Sequence, residues 1–151
     1  MQGELTGGCL CGAVRYTLSD GFRYRPYACH CTDCQSRTGS AFSEHMLFAR
    51  PDLAIEGELD SGSYRQPSGP ESTIWGCAIC KARIFAENST TPGFASLRCG
   101  TLDRSSEVMP VAHLWVGSKQ DWIVIPDGVP ALAEQPRTPA EWMALLGPTT
   151  F

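Results

Sequence analysis

The 151-residue chain has no run of about 18 apolar residues, so the sequence offers no candidate membrane-spanning helix. It also has no surplus of basic residues: 12 Lys and Arg stand against 16 Asp and Glu, which gives a formal net charge of −4. Nucleic-acid-binding domains usually carry a basic stripe, so this balance argues against a nucleic-acid partner. Residues 1–8 show neither the basic nor the apolar region of a secretory signal. We therefore expect a cytoplasmic protein in a reducing compartment.

Long helical patterns are scarce as well. Fifteen Gly and eleven Pro break the chain into short segments, which favours strands and turns. Strands are predicted where Val, Ile, Trp and Phe lie between turn residues: residues 13–18, 41–49, 53–58, 72–75, 83–87, 95–99, 112–116 and 122–125. Residues 28–35 predict a knuckle and residues 60–70 a loop. The length predicts a single domain over residues 1–151.

One helix is predicted, close to the C-terminus. Thr138 suits the N-cap, Pro139 the first turn, and Glu141 completes a capping box. Residues 142–146 carry one apolar stripe, and Gly147 is a stop signal. We interpret the helix as a cover for the sheet. The sequence therefore predicts a mainly β fold with a short C-terminal helix.

Eight cysteines are the most informative residues present, at positions 9, 11, 29, 31, 34, 77, 80 and 99. An even number can indicate the disulfide framework of a small secreted domain. This chain is too long for that class, and its cysteines pair at C-x-C and C-x-x-C spacing, which is typical of metal ligands. We therefore predict zinc.

Two distant pairs, Cys9 with Cys11 and Cys77 with Cys80, can together supply four thiolates. Four ligands complete a tetrahedral zinc site, with Zn–S distances near ~2.3 Å and no position left for a substrate. These residues therefore predict a structural zinc.

The remaining cluster, Cys29, Cys31 and Cys34, holds three thiols within six residues. Zinc with three protein ligands keeps one position for water or an incoming ligand, as in catalytic sites. A thiol bound there would lose its proton at neutral pH. His30, between two ligands, is expected to point away from the metal.

Two alternatives concern this second cluster. Cys99 could complete it as a second structural site, although we favour Cys99 as an ordinary buried thiol on a strand. The C-x-x-C of Cys31 and Cys34 could instead serve redox chemistry, which we regard as a minor option because the chain shows no βαβ pattern.

Several motifs together resemble the glutathione-dependent formaldehyde-activating enzyme family, which also includes centromere protein V. The similarity covers about residues 5–136 and rests on these segments: GCLCGAVRY at 8–16, CHCTDCQSRTGS at 29–40, CAIC at 77–80, GTLD at 100–103, PVAHLW at 110–115, WI at 122–123 and DGVP at 127–130. Two features depart from the family pattern. Lys81 replaces a glycine after the second C-x-x-C, which we interpret as a reshaped knuckle with the metal retained, and Cys99 is an addition.

The resemblance implies a β-tent of several coiled antiparallel sheets, as in Rab exchange-factor zinc proteins and methionine-R-sulfoxide reductases. It implies structural zinc at Cys9, Cys11, Cys77 and Cys80, and matches Cys29, Cys31 and Cys34 to catalytic zinc ligands. The family's activity joins glutathione to formaldehyde as S-hydroxymethylglutathione, a carbon–sulfur lyase reaction run in reverse.

The sequence thus predicts a zinc-dependent lyase whose partners are a small-molecule thiol and an aldehyde. Arg37 is the best-placed cation for a glutathione carboxylate, or else a solvated or structural arginine. His113 could be a proton shuttle, or else a packed core residue. The rival hypothesis is a non-catalytic protein-binding module in which both zincs are scaffolding.

Overall fold

The chain divides into two compact units, and each combines stretches that are distant in sequence. The computed structural model describes residues 2–148. The first unit comprises residues 1–23 and 47–108, and the second comprises residues 24–46 and 109–151. The prediction of a single domain stays a prediction. Within residues 2–148, no helix is both long and apolar enough to cross a membrane.

Ten short strands and two α-helices make up the regular structure. In chain order they are β1 (Leu5–Gly8), β2 (Arg15–Leu18), β3 (Tyr27–Cys29), α1 (Thr32–Thr38), β4 (Ser43–Ala49), β5 (Leu53–Glu56), β6 (Leu59–Arg65), β7 (Glu71–Cys77), β8 (Arg83–Asn88), β9 (Phe94–Arg98), β10 (His113–Leu114) and α2 (Pro139–Leu146). Short 3₁₀ helices occupy Arg50–Asp52, Cys99–Thr101, Ser105–Glu107 and Val116–Ser118. The mainly β fold with a short C-terminal helix is therefore confirmed.

In the first unit, β2 lies between β1 and β5 in an antiparallel arrangement. Side chains alternate across a strand, and Tyr16 and Leu18 of β2 are accordingly buried while Arg15 is exposed. Gly7 of β1 has no room for a side chain, because an added Cβ would overlap the Tyr16 hydroxyl and the Thr101 carbonyl. The close approach of these strands therefore depends on glycine.

The other strands of the first unit form an antiparallel run from β6 through β7 and β8 to β9. Ile84, Phe85 and Leu97 are almost fully buried there. The prediction of a loop over residues 60–70 is wrong in its first half, because Leu59–Arg65 forms β6. Six of the seven β6 residues are exposed, so backbone pairing with β7 forms this strand without an apolar pattern.

In the second unit, β3 pairs with β10 in parallel and with β4 in antiparallel fashion. Helix α2 begins as predicted, since the Thr138 hydroxyl accepts a hydrogen bond from the Glu141 N–H at 3.2 Å. Leu146 is fully buried at its end.

Two predictions for the second unit are wrong. No strand forms at residues 122–125, where the Trp122 and Val124 side chains are exposed. The predicted knuckle over residues 28–35 instead consists of the end of β3 and the first turn of α1.

Candidate metal centres

The first unit brings together the four cysteines that the sequence assigned to one site. Cys9 and Cys11 lie in the turn between β1 and β2, Cys77 ends β7, and Cys80 lies in the turn before β8. Their four sulfur atoms all lie within 4.8 Å of one another. Cys11 Sγ is 3.6 Å from Cys9 Sγ and 3.8 Å from Cys77 Sγ. We call Cys9, Cys11, Cys77 and Cys80 the four-cysteine group.

Backbone N–H groups point at these sulfurs. The Val14 N–H donates to Cys9 Sγ at 3.2 Å, and the N–H groups of Ile79 and Cys80 donate to Cys77 Sγ at 3.3 and 3.4 Å. Such donors stabilise thiolates, and they are present because each C-x-C or C-x-x-C segment folds back on itself.

The thiols of this group also perturb one another. Burial raises the pKa of Cys9, but the Val14 N–H and the neighbouring thiols outweigh it and lower that pKa to about 6. The Ala13 backbone lowers the pKa of Cys11, but burial and the neighbouring thiols raise it to about 11. One thiol thus ionises readily while another keeps its proton, so a cation is needed to hold all four residues as thiolates, and soft sulfur donors suit zinc.

The second C-x-x-C keeps a left-handed turn despite its lysine. Lys81 has φ +61°, the region that glycine favours, and its N–H donates to the Cys77 carbonyl at 3.0 Å. Its ammonium group forms an ion pair with Asp60 of β6. The expected reshaping of the knuckle is therefore wrong at this residue, because the lysine adopts the glycine conformation.

The second unit brings Cys29, Cys31 and Cys34 together, and their sulfurs also lie within 4.8 Å of one another. Cys29 ends β3, Cys31 is the N-cap of α1, and Cys34 lies in the first turn of that helix. As a cap, Cys31 Sγ accepts a hydrogen bond from the Cys34 N–H at 3.3 Å. We call these residues the three-cysteine group.

The charges of the three-cysteine group are strongly linked. Hydrogen bonds from Cys29 and Cys34 lower the pKa of Cys31 to about 2. Hydrogen bonds with Cys31 and Cys34, together with burial, raise the pKa of Cys29 well above its usual range. One proton thus leaves easily and a further one is retained, so these residues fit a cation that would hold all three as thiolates.

Cys99 lies in the first unit, at the start of the 3₁₀ helix Cys99–Thr101, with none of its surface exposed. Its burial agrees with the interpretation that we favoured, but Cys99 follows β9 and does not lie on a strand. Among the residues that the structure describes, neither sulfur group includes Cys99. No disulfide joins any of the eight cysteines, all of which lie within residues 2–148.

His30 and His113 form a pair in the second unit. His30 Nε2 is 2.8 Å from His113 Nδ1, and the rings lie 5.1 Å apart. Burial, and then the charges of His113 and Lys119, lower the pKa of His30; burial alone lowers the pKa of His113. Both rings are therefore neutral near pH 7.

Residues around the pair fix the backbone between β3 and α1. The His30 carbonyl accepts from Gln35 Nε2 at 2.9 Å and from Ser118 Oγ at 2.9 Å. Arg37 is half-buried in the last turn of α1, one turn after Cys34. The roles of His113 and Arg37 stay predictions.

His45 is a neighbour of the three-cysteine group that sequence reasoning missed. Its Nε2 lies 3.6 Å from Cys34 Sγ, and its ring is buried. The sequence placed residue 45 in a predicted strand. Only the pairing of that strand with residues 27–29 shows that its side chain lies on the same face as Cys29.

The sequence model of the glutathione-dependent formaldehyde-activating enzyme family matches residues 4–118. A crystal structure of a Rhodobacter sphaeroides protein, determined in structural genomics, matches with 18% identity and a TM-score of 0.48. That match covers 70% of this chain and 98% of the other. No curated protein matches.

Proposed function

Because the chain belongs to the glutathione-dependent formaldehyde-activating enzyme family, we propose that it is a zinc-dependent carbon–sulfur lyase. It adds a thiol, glutathione or a similar one, to formaldehyde or another small aldehyde. The observation that carries this proposal is the three-cysteine group, which gathers three sulfurs and no fourth cysteine within the part of the chain that the structure describes.

The two groups of cysteines have different roles in this proposal. The four-cysteine group holds a structural zinc, because four thiolates fill a tetrahedral site. The three-cysteine group holds the catalytic zinc. When bound there, zinc supplies a coordination position for the thiol cosubstrate and lowers the pKa of that thiol.

In the reaction, an S–H bond of the thiol breaks and an S–C bond to the aldehyde carbon forms. The carbonyl oxygen becomes a hydroxyl by taking up a proton. The neutral pair of His113 and His30, joined at Nδ1 and Nε2, is our candidate for accepting the thiol proton and returning it to that oxygen.

Other residues orient the reactants. Gln35 Nε2 bridges the His30 carbonyl and the Ser118 carbonyl, at 2.9 and 2.8 Å, which fixes the segment between Cys29 and Cys31. Arg37, one turn after Cys34, is the candidate for binding a carboxylate of glutathione.

The test measures adduct formation from glutathione and formaldehyde, followed by exchange NMR at substrate concentrations where the uncatalysed reaction is slow. We expect the wild type to accelerate the reaction and Cys31→Ser to lose that acceleration. Cys99→Ala is the matched control, because it removes a buried thiol outside both groups and should retain activity.

Metal content and circular dichroism are measured on all three proteins, with two zincs per chain expected in the wild type. Equal adduct formation with wild type and Cys31→Ser would contradict the lyase proposal. It would favour the alternative, a protein-binding module in which both zincs are scaffolding.

A further inference from the structure

A buried imidazole from β4 contacts the three-cysteine group. His45 exposes only 7% of its surface, and its Nε2 lies 3.6 Å from Cys34 Sγ. That distance is within the range of a hydrogen bond to sulfur. His45 lies in β4, outside the segment that carries the three cysteines, so the contact comes from a different part of the sequence.

The pairing of β3 with β4 determines where this imidazole lies. Cys29 is opposite Ser43, and Tyr27 is opposite His45. Residues two apart on a strand share a face, so the side chains of Cys29 and His45 project from the same face of the strand pair.

Aromatic neighbours fix the orientation of the ring. The Tyr27 ring stacks on His45, with centroids 5.2 Å apart and planes at 10°. Trp142 of α2 packs edge-on against Tyr27 at 5.7 Å. This stack restrains the imidazole plane, so Nε2 is held toward Cys34 without a contribution from any metal.

The same geometry distinguishes a hydrogen-bond donor from a fourth ligand. In a tetrahedral site each donor atom lies roughly 3.5 Å from all of the others. The three sulfurs all lie within 4.8 Å of one another, but His45 Nε2 does not lie within that distance of all three. It is close to one sulfur, which is the arrangement of an N–H···S hydrogen bond.

We propose that His45 is a positioning residue that donates a hydrogen bond from Nε2 to the Cys34 thiolate. The bond orients that ligand and strengthens metal retention while the fourth coordination position stays available to the substrate. This inference rests on the proposed function in one respect, that the three-cysteine group holds zinc.

The test compares full-length wild type with two substitutions. His45→Phe keeps a flat ring to stack on Tyr27 and removes the donor, whereas His45→Gln keeps an amide N–H. Zinc affinities of both groups are measured by competition with a chromophoric chelator, and X-ray absorption of the zinc protein reports the ligand atoms.

We expect His45→Phe to weaken zinc binding at the three-cysteine group by about 10- to 100-fold. His45→Gln should recover part of that loss. The four-cysteine group of the same molecules is the internal control, and its affinity should not change. Imidazole scattering should be absent from the wild-type and variant X-ray absorption spectra alike.

Four results would overturn the inference. Unchanged affinity in His45→Phe would show that the contact has no effect on the metal. Imidazole scattering present in the wild type and lost in His45→Phe would show that His45 is a ligand. Equal weakening at both groups would show a general structural role. Absence of zinc from the wild-type three-cysteine group would overturn the proposed function as well, which separates the two failures.

Discussion

The two cysteine groups differ in their surroundings as well as in their number of thiols. The four-cysteine group lies in turns at the ends of strands, with Cys11 exposed and with backbone N–H groups as its hydrogen-bond donors. The three-cysteine group lies at the junction of β3 and α1, with the buried side chains of His30 and His45 beside it. His30 comes from the same segment as the three cysteines, whereas His45 is supplied by a different strand, β4. Under our proposal, the first group fastens the fold and the second carries the chemistry.

The largest expected effect is a difference in protein stability between substitutions in the two groups. Cys77→Ser removes a fully buried thiol of the four-cysteine group, and under our proposal the structural zinc is lost with it. Such a loss costs several kcal/mol because metal-binding free energy contributes to folding. We expect this variant to lose cooperative thermal unfolding. Cys31→Ser, the same change in the three-cysteine group, should lower the free energy of unfolding by about 1–2 kcal/mol. Equal destabilisation by both changes, measured by circular dichroism, would remove the distinction.

The next effect concerns pH. The raised pKa of Cys29 means that this thiol stays protonated at neutral pH without metal, so zinc must displace its proton. Zinc affinity of the three-cysteine group should therefore fall as the pH is lowered, by about tenfold per pH unit for each displaced proton.

Within the four-cysteine group, Cys9 has a pKa of about 6 and is already a thiolate at pH 7. Zinc must therefore displace a proton from Cys9 only at about pH 6 and below, whereas Cys11, with a pKa raised to about 11, keeps its proton until zinc displaces it. Chelator competition at pH 5, 6, 7 and 8 measures both dependences. An affinity of the three-cysteine group that does not change with pH would contradict the charge distribution described above.

The smallest effect concerns the left-handed residue that follows each cysteine group in the sequence. Lys81 and Gly39 both have left-handed backbones, at φ +61° and +64°, and Gly39 is the C-cap of α1. Lys81→Gly should be more stable than Lys81→Ala by about 1 kcal/mol, because both lose the ion pair with Asp60 but only alanine retains the backbone strain.

Gly39→Ala provides the matching test at the other group and should cost about 1 kcal/mol. Urea unfolding measures all three variants. No difference between Lys81→Gly and Lys81→Ala would show that the turn relaxes.

Sequence reasoning was most successful where the information is local. The spacing of Cys9, Cys11, Cys77 and Cys80 predicts four neighbouring sulfurs, and the capping residue Thr138 predicts the start of α2. It failed at β6, where pairing with β7 makes a strand from exposed polar residues.

Two features of the second unit could not be predicted from the sequence either. Helix α1 has only seven residues, and its N-cap is Cys31, a residue that the pattern of caps does not favour. The contact between His45 and Cys34 depends on the register between β3 and β4, which no local pattern determines.

The parallel pairing of β3 with β10 has a consequence for the order of synthesis. Cys29 leaves the ribosome long before Leu114, the residue with which it pairs, and the Arg25 N–H bonds to the still later Leu146 carbonyl. For that interval the three thiols lack their final scaffold, whereas all four residues of the other group have been made by residue 80. The unit that holds the four-cysteine group ends at residue 108, so its synthesis is complete before that of the unit that holds the three-cysteine group.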